Sequence, residues 1–577
     1  MYTNYLSLIS FLLIFYSEQS SSLAVPHSTD VVIIGAGIGG LTAAAILTSK
    51  FNLKVDVFES HYHIGGCAHS FEITSKEESK TKYRFDAGPT ILLGCSSAPY
   101  NPLQQILNYL DASSAVDWIS YKSWGMVTEE GKWNFELGEK AFIDGPLLRF
   151  GGPDAVVEFN QLRCACLPLI EGSVGIPSPA LRGDALKLIP LLRHMNALQK
   201  VIPYGDVLEG NFKPFMDKYV KNSWLRNWLD ALAFSLSGLP AAETGAAAMA
   251  YTLFDLHRDG SSLDYPRGGM GEISSALENI ITSSGGRVHL SSAVASIGVE
   301  NNRASGVTLK NGLVVQARKA VICNANIWAL PRLLSSSRAK LSAEQSKFFI
   351  EESAAKLKTK SFLHLHLGLN SKGLNLKGMQ PHFTVMSQGL EHPCADRNMV
   401  AVSNPSVLDE SLTDRQERMI VHAYGAGNEP YEPWASMDRK SGEYKAAKTG
   451  AAEYLFESVS RALEIPLAEV KERAEVTLIG TPLTHQRYLL RDDGTYGSAW
   501  GSILKGPLTP LPGLLLCGDR YIFLGSQIYR ILKAASYLIC SVFPGIGVPA
   551  VALSGSCAAN TVVNVLQHTI ELIKAGV

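Results

Sequence analysis

One stretch near the N-terminus restricts the possible folds more than any other. Residues 28–47 read STDVVIIGAGIGGLTAAAIL, an apolar β-branched run followed by a G-x-G-x-x-G pattern and an alanine-rich segment. A continuous apolar run of this kind indicates a buried parallel strand, and the segment after the glycines predicts a helix. A second predicted strand, 54–58, ends at Glu59. The pattern predicts a strand–turn–helix–strand unit of a doubly wound α/β fold.

The glycines and the acidic residue predict what this unit binds. Gly35 permits the tight turn, Gly37 lets the backbone approach a pyrophosphate, and Gly40 lets helix and strand pack closely. The helix N-terminus offers its free N–H groups and its positive dipole end to phosphate. The Glu59 carboxylate can accept hydrogen bonds from ribose hydroxyls and disfavours a 2′-phosphate, which argues against NADP. The sequence therefore predicts a dinucleotide site.

Two further segments favour FAD over NAD. HYHIGG at 61–66 follows Glu59 directly, and YRFDAGPT occupies 83–90. Both resemble segments of the FAD enzymes of the amine oxidase and phytoene desaturase superfamily, which carry Glu-x(5)-Gly-Gly and Phe-Asp-x-Gly. The resemblance implies a Rossmann-type FAD-binding domain with an interleaved α+β substrate domain. It also implies that Val294, after the GGRVHLSSA stretch at 285–293, contacts the adenine part of FAD through backbone atoms.

A C-terminal stretch narrows the resemblance. Residues 480–497 read GTPLTHQRYLLRDDGTYG and resemble the corresponding stretch of carotenoid isomerases, with Tyr488 in place of Phe. The resemblance covers about residues 30–575 and implies cis–trans isomerisation of a long apolar polyene with reduced FAD. Arg487, Asp493 and Tyr496 are polar candidates in this stretch, but holding a turn together accounts for them equally well. No catalytic side chain is therefore assigned.

Near the C-terminus a family motif is interrupted. Residues 517–519 read CGD and residues 541–548 read SVFPGIGV, and in the resembled family these two pieces are adjacent. There the Asp faces the ribityl and phosphate part of FAD, and the loop opens the helix beneath the isoalloxazine. Residues 520–540 are thus predicted to be an insertion in the cofactor site. A lid or membrane anchor, a tolerated surface loop and a retained intron all remain open as explanations. A tolerated surface loop is possible because closing a longer loop costs little additional entropy.

The resemblance and the fingerprint together define the predicted site and the domain limits. The predicted cofactor-binding residues are Gly35, Gly37, Ile38, Gly39, Gly40, Glu59, Gly65, Gly66, Gly88, Val294, Gly518, Asp519, Gly547 and Val548. The predicted FAD-binding parts are 28–95, 251–330 and 476–577, with the insertion at 520–540. The predicted substrate-domain parts are 96–250 and 331–475.

Charge and cysteine usage exclude other partners. The formal net charge is −1, without a Lys/Arg run, so nucleic acid is not an expected partner. The nine cysteines are scattered, which argues against a disulfide framework. Cys164 and Cys166 form the one close pair, and without a nearby His or further Cys they do not predict a metal site.

Three apolar stretches could serve in membrane targeting or membrane contact. The run 6–16 is too short to span a bilayer but suits a signal-peptide core, so residues 1–27 are predicted to be a signal or targeting segment. A disordered or loosely docked tail is the alternative. The family resemblance implies a plastid as the destination. The stretches 186–198 and 212–236 are apolar and aromatic, and either internal packing or an amphipathic membrane-docking face explains them.

The leading interpretation is a peripheral-membrane, FAD-dependent carotenoid isomerase-like enzyme acting on an apolar polyene. A redox enzyme of the same superfamily, such as a carotene desaturase or a retinol-saturase-like reductase, is the first alternative. A non-catalytic flavin- or polyene-binding protein is the second, especially if the insertion blocks the site. The sequence leaves the substrate and its reacting bond open.

Overall fold

The computed structural model describes residues 28–577 except 78–79, 89, 202–209, 356–357, 426–428, 496, 498–505 and 519–546. The predicted targeting segment, Tyr496, Asp519 and the predicted insertion lie outside the described residues.

The strands are numbered in chain order. They are β1 (Ser28–Ile34), β2 (Val55–Phe58), β3 (Ser70–Thr74), β4 (Lys82–Asp86), β5 (Leu92–Leu93), β6 (Trp118–Tyr121), β7 (Ser123–Thr128), β8 (Gly131–Glu136), β9 (Leu263–Pro266), β10 (Arg287–His289), β11 (Val294–Glu300), β12 (Arg303–Leu309), β13 (Val314–Cys323), β14 (His364–Asn370), β15 (His382–Met386), β16 (Met399–Ser403), β17 (Arg418–Gly425), β18 (Ala474–Gly480) and β19 (Leu514–Leu516).

The helices are numbered in the same way. They are α1 (Ile38–Ser49), α2 (Pro102–Tyr109), α3 (Glu139–Phe142), α4 (Gly152–Val174), α5 (Leu188–Leu191), α6 (Met195–Val201), α7 (Lys213–Tyr219), α8 (Ser223–Ser237), α9 (Ala246–His257), α10 (Gly271–Ser283), α11 (Leu330–Leu333), α12 (Ala343–Ala355), α13 (Glu432–Ala435), α14 (Gly442–Ala451), α15 (Glu453–Leu463), α16 (Leu467–Glu472), α17 (Pro482–Leu489), α18 (Val548–Val562) and α19 (Val565–Lys574).

The first sheet contains the predicted nucleotide-binding unit. Its strand order is β10-β2-β1-β13-β12-β11, and β19 also pairs with β13. Strands β10, β2, β1, β13 and β19 run parallel, whereas β11 and β12 join β13 as antiparallel hairpins. The predicted β1–α1–β2 unit is confirmed. Residues 297–322, in which apolar runs alternate with Asn-Asn and Asn-Gly turns, also predict β-hairpins, and these are confirmed. In the first hairpin turn Asn301 and Asn302 both have positive φ, 47° and 57°, the backbone that a type I′ turn requires.

The second sheet forms the other half of the molecule. Its strand order is β18-β14-β17-β16-β15-β7-β8, and only the β15–β7 pair in it is parallel among the described strands. Helix α15 packs its apolar side on this sheet. The first sheet takes strands from 28–58, 287–323 and 514–516, and the second from 123–136, 364–425 and 474–480. The chain thus passes repeatedly between the two, an α/β domain interleaved with a second sheet domain. The individual domain limits stay a prediction.

The two apolar stretches of the predicted substrate domain differ in the structure. In 212–236, Phe212, Val220, Leu225, Trp228 and Leu229 are buried in the core, so internal packing explains this stretch. In 186–198, several large apolar side chains are exposed instead. None of the helices that the structure describes is long and apolar enough to cross a bilayer.

Five histidines are buried in and around the second sheet. His364 and His366 lie on β14, His382 on β15, His422 on β17 and His485 on α17. Burial lowers the pKa of His366 to about 4 and the pKa values of His382 and His485 to about 3. Within the described ranges, His, Cys, Asp and Glu side chains form no group of three or more that could hold a metal ion. The lowered pKa values keep all five imidazoles neutral at physiological pH.

Acidification should destabilise the protein because of these histidines. Between pH 6.5 and about 4 these histidines are protonated in the unfolded chain but not in the folded protein. The free energy of unfolding therefore decreases as the pH falls through this window. Each such histidine contributes a slope of up to about 1.4 kcal/mol per pH unit. Urea midpoints measured from pH 7 to pH 5 should fall steadily.

The matched variants are His366→Gln and His392→Gln. His366 Nε2 donates to the Asp86 carbonyl oxygen at 2.9 Å, and a glutamine amide can donate in its place. This variant should flatten the acid-side decline, whereas replacing the exposed His392 should not change it. Equal declines in all three proteins would contradict this account.

Candidate functional site

A cavity of about 780 Å³ is lined by residues from both halves of the molecule. This volume lies within the usual range for ligand pockets. The predicted residues that line it are Gly35, Gly37, Ile38, Gly39, Glu59, Gly65, Gly66, Val294, Gly518, Gly547 and Val548. Gly40 and Gly88 are not among the lining residues. The structure thus brings together predicted residues from five separate parts of the chain.

The glycines around α1 leave backbone exposed to the cavity. Gly35 has a φ of +94°, which a residue with a side chain rarely adopts. A Cβ on Gly37 or Gly39 would lie 2.9 or 2.8 Å from the Asn324 amide, so neither position has room for a side chain without movement of that amide. A Cβ on Gly40 would overlap the Gly35 carbonyl oxygen, which accounts for Gly40 as a close-packing residue outside the cavity.

Two helices begin at the cavity wall. Gly37 is the N-cap of α1 and Gly547 is the N-cap of α18, and both line the cavity. As the structure describes them, neither first turn contains an acidic residue. The helices cross closely, because a Cβ on Gly555 would overlap the Gly39 carbonyl oxygen. Each of the two helices thus presents free N–H groups and a positive dipole end to the cavity, an arrangement that suits anionic groups of a ligand.

Glu59 fastens the glycine turn to the second strand. One of its carboxylate oxygens, Oε2, accepts from the Ala36 N–H at 2.7 Å. The other, Oε1, accepts from the His61 N–H at 2.8 Å and from the Ser60 hydroxyl at 3.0 Å. A carboxylate has about four acceptor sites. One site is left for a ligand hydroxyl, as the sequence-based role of Glu59 requires.

The second glycine pair docks on the first. The Gly65 N–H donates to the Ala36 carbonyl at 2.8 Å, and Gly65 forms a bridge with Gly37. The turn at 35–37 is thus held on one side by Glu59 and on the other by Gly65. This arrangement explains why the two glycine segments, separated in sequence, line the same cavity.

Asn324 is a site residue that the sequence analysis did not single out. It follows β13, lines the cavity, and places its side chain against Gly35, Gly37 and Gly518. Its Nδ2 donates to the Gly35 carbonyl at 3.4 Å. A polar residue directly after a buried parallel strand was the available signal, since ligands bind at the carboxyl ends of such strands.

The lining of the cavity changes character from one half to the other. Among the described lining residues, those from the second sheet carry no charge: Phe383, Thr384, Met399, Ala401, Val402, Ser403, Tyr424 and Gly425. The charged lining residues lie elsewhere: Glu59, Lys310, Arg332, Arg491 and Asp492. One end thus offers helix termini and charge to a dinucleotide, and the other offers an uncharged surface to an apolar molecule.

A small polar group interrupts the uncharged end. The Thr90 hydroxyl donates to the Ser403 hydroxyl at 3.1 Å, and His382 Nδ1 lies 2.9 Å from the same Ser403 oxygen. Thr90 and Ser403 both line the cavity. The lowered pKa of His382, about 3, keeps the imidazole neutral. With Nδ1 protonated, the Ser403 hydroxyl hydrogen is free to donate to a ligand; with Nδ1 unprotonated, Ser403 and Thr90 keep free acceptor sites.

The family-specific stretch lies beside the cavity, but its two described polar candidates do not line it. Asp493 pairs with Lys358 at 2.6 Å and has a positive φ of 56°, which marks it as a turn residue. Arg487 lies over the ring of Tyr488, and it is Tyr488, with Gln486 and 489–492, that lines the cavity. The turn-holding interpretation fits Asp493.

A family model described as flavin containing amine oxidoreductase matches residues 38–441. The chain belongs to this family. The glycine turn, the two helix N-termini and Glu59 fit a flavin cofactor, and the protein is a flavin-dependent enzyme with a Rossmann-type α/β domain. This bears out the predicted fold class and the recognised superfamily.

Relatives of known activity cover nearly the whole chain. A chloroplastic prolycopene isomerase of Daucus carota is 28% identical over 566 residues, 95% of this chain and 82% of the relative. An all-trans-retinol 13,14-reductase of Homo sapiens is 26% identical over 533 residues, 87% of this chain and 84% of the relative.

Solved structures share the fold. An oxidoreductase from Methanosarcina mazei has a TM-score of 0.53 at 18% identity, covering 89% of this chain and 98% of its own. A putrescine oxidase bound to putrescine has a TM-score of 0.52 at 14% identity, covering 89% of this chain and 97% of its own.

The glycine turn can be tested directly. Gly37→Val puts a branched side chain on the cavity lining and against Asn324, so the purified variant should lose its yellow flavin absorbance while its circular dichroism stays that of a folded protein. The control is Gly450→Ala in α14, where a Cβ would meet nothing within 4 Å. A folded Gly37→Val protein with the flavin content of the parent would show that the turn does not hold the cofactor.

Proposed function

We propose that the protein is an FAD-dependent cis–trans isomerase of a long apolar polyene. The observation that supports this most directly is the divided lining of the cavity, with helix termini and Glu59 at one end and uncharged side chains at the other. A polyene carries no charged group, and the described residues of the second sheet that line the cavity are uncharged as well. The similarity to prolycopene isomerases over 95% of the chain supports the same substrate class.

FAD is proposed as the form of the flavin because residues predicted to bind different parts of a dinucleotide line the same cavity. Val294 and Glu59 suit the adenosine part, the N-terminus of α1 suits the pyrophosphate, and the N-terminus of α18 suits the isoalloxazine. Gly518 also lines the cavity, next to Asp519, for which the ribityl contact remains a prediction.

The glycine turn and Glu59 would hold reduced FAD, which would supply electron density or a proton that lowers the double-bond character of a conjugated bond and so permits rotation. The chain positions the polyene and excludes water. Phe383 and Met399 are buried and offer apolar contact. Tyr424 is held in place because its hydroxyl donates to the Asp86 carbonyl at 2.9 Å.

A retinol-reductase-like redox activity is the second candidate. The Thr90–Ser403–His382 group favours it, because this group can bind one hydroxyl in otherwise uncharged surroundings. The similarity to all-trans-retinol 13,14-reductases points the same way. A non-catalytic flavin- or polyene-binding role remains the third interpretation.

One experiment separates these functions. The purified flavoprotein is incubated anaerobically, with its flavin oxidised or reduced, with a cis-carotene or with all-trans-retinol, and the products are analysed by chromatography and mass. An isomerase gives a product of unchanged mass only with reduced flavin, and the flavin stays reduced. A reductase gives a product heavier by two hydrogens and oxidises its flavin in equal amount. Yellow protein that converts neither compound would contradict both activities.

Ser403→Ala should distinguish alcohols from hydrocarbons. Losing one hydrogen bond of about 1 kcal/mol should raise KM about fivefold for a hydroxylated polyene and leave KM for a hydrocarbon polyene unchanged. Ser235→Ala is the matched control, because Ser235 also lines the cavity but donates its hydroxyl to the Ala231 carbonyl at 2.9 Å. Equal effects on both substrates would remove the polar group from substrate recognition.

We further propose that the N-terminal segment directs the enzyme to plastids and that it works there as a peripheral membrane protein. The named location of the prolycopene isomerases supports the first part. A fluorescent protein fused to residues 1–40 should accumulate in plastids. Diffuse cytosolic fluorescence would contradict this assignment.

A further inference from the structure

We infer that the imidazoles of His61 and His69 bind a group of the flavin cofactor that accepts one hydrogen bond and donates another. His61 supplies the N–H donor of this pair, and His69 supplies an unprotonated nitrogen as the acceptor. Neither residue belongs to the cofactor-binding set predicted from the sequence. The inference takes FAD from the proposed function as the bound form of the flavin, and it is independent of the reaction catalysed.

Three histidine rings lie against one another on the cavity wall. The ring centroids of His61 and His69 are 5.4 Å apart, and the ring of His63 lies 5.5 Å from the first and 5.6 Å from the second. All three residues line the cavity. Tyr488, from the family-specific stretch, packs edge-on against His61 with a centroid distance of 5.3 Å. Packing therefore limits how far these rings can turn.

The backbone sets the tautomer of His69. Its Nδ1 lies 2.6 Å from the Gly66 carbonyl oxygen, which can only accept, so Nδ1 carries the proton and donates it. Burial lowers the pKa of His69 to about 4, so the ring is neutral at physiological pH and Nε2 is unprotonated. Among the described residues, no donor bonds to this Nε2. His69 therefore adds an acceptor without a protein partner to the cavity wall.

The tautomer of His61 is set in the opposite way. Its Nδ1 accepts from the His63 main-chain N–H at 2.9 Å, so in the neutral ring the proton is on Nε2. Burial lowers the pKa of His61, which favours this neutral form. Within the part of the chain that the structure describes, no acceptor bonds to the Nε2–H. A donor and an acceptor, both without a protein partner, thus belong to two neighbouring rings.

The pair lies between the two ends of the cavity. On one side, the Glu59 carboxylate accepts from the His61 main-chain N–H at 2.8 Å. On the other side, the Ala87 N–H donates to the His69 carbonyl at 2.9 Å. Ala87 follows Asp86, whose own carbonyl accepts hydrogen bonds from the second sheet. The two imidazoles are therefore placed beyond the adenosine end, on the way to the uncharged end.

Two parts of a flavin match a donor and an acceptor on neighbouring rings. A ribityl hydroxyl donates and accepts at once. The pyrimidine edge of the isoalloxazine carries an N–H between two carbonyl groups. A pyrophosphate can only accept, so it would leave the His69 nitrogen without a donor. The pair therefore suits the ribityl chain or the ring edge rather than the phosphates.

The test measures the release of FAD from the full-length, flavin-loaded protein on dilution, followed by flavin fluorescence. His61→Phe and His69→Phe keep an aromatic ring but remove the donor or the acceptor, so each should raise the Kd for FAD about fivefold, the effect of one lost hydrogen bond. His61→Gln and His69→Gln replace the lost donor or acceptor and should restore most of the affinity. The control is Tyr62→Phe, because Tyr62 stacks on His61 at 4.2 Å but is not among the described lining residues. This variant should release FAD like the parent.

The midpoint potential of the bound flavin distinguishes the two parts of the cofactor. Hydrogen bonds to the ring tune its electronics, so with a ring-edge contact the Phe variants change the potential. With a ribityl contact they weaken the oxidised and reduced forms equally and leave the potential unchanged. Either result, together with the raised Kd, supports the pair as a flavin ligand.

The inference is overturned if the folded Phe variants keep the Kd of the parent, or if the Gln variants release FAD as readily as the Phe variants. In the second case the polar atoms of the two rings would not be what binds the flavin. The release measurement needs no substrate, so a failure of the proposed polyene reaction leaves its result unaffected.

Discussion

The buried residue Asp86 joins the two halves of the molecule, one through its carboxyl group and the other through its main-chain carbonyl. Its Oδ1 accepts from the Ser70 hydroxyl at 2.7 Å and the Met270 N–H at 2.8 Å, and its Oδ2 accepts from the Tyr265 hydroxyl at 2.8 Å. Its main-chain carbonyl accepts from His366 and Tyr424 of the second sheet, each at 2.9 Å. Burial raises the pKa of this carboxyl group and the hydrogen bonds oppose that rise.

This junction matters because the cavity is formed by both halves. Met270 lies on one side of the junction and Tyr424 on the other, and both line the cavity. A shift of one sheet relative to the other would change the space between flavin and substrate. Because such a shift would take hydrogen bonds from the buried Asp86 carbonyl and leave His366 and Tyr424 without their acceptor, the junction resists partial rearrangement. The reaction geometry is thus set by a polar contact that need not touch either ligand.

Part of this organisation was predictable because it is encoded locally. The β1–α1–β2 unit, the hairpin turns at Asn301 and Asn302, and the glycines that line the cavity follow from short patterns whose backbone requirements are specific. The combination of Thr90, Ser403 and His382 was not predictable, because they come together only when distant segments pack. Asn324 was accessible in principle, as a polar residue after a strand, but one such residue among many carries little information alone. The exposure of Leu566, Ile570 and Ile573 on the outer face of α19 was not predicted, because the spacing of apolar residues in a helix does not tell which side is buried.

Gly518 and Gly547 lie on the two sides of the interrupted family motif, and their positions set where the chain between them must begin and end. Gly518 and Gly547 both line the cavity, and the Gly518 N–H donates to the Ser554 hydroxyl on α18 at 3.2 Å. The crossing of α1 and α18 at Gly39 and Gly555 fixes α18 against the nucleotide-binding unit. The chain therefore leaves the cavity wall at one end of the motif and returns to it at the other, whatever the length of the connection. Closing a longer loop between fixed ends costs little additional entropy. An insertion at 520–540 can therefore leave both glycines in their positions on the cavity wall.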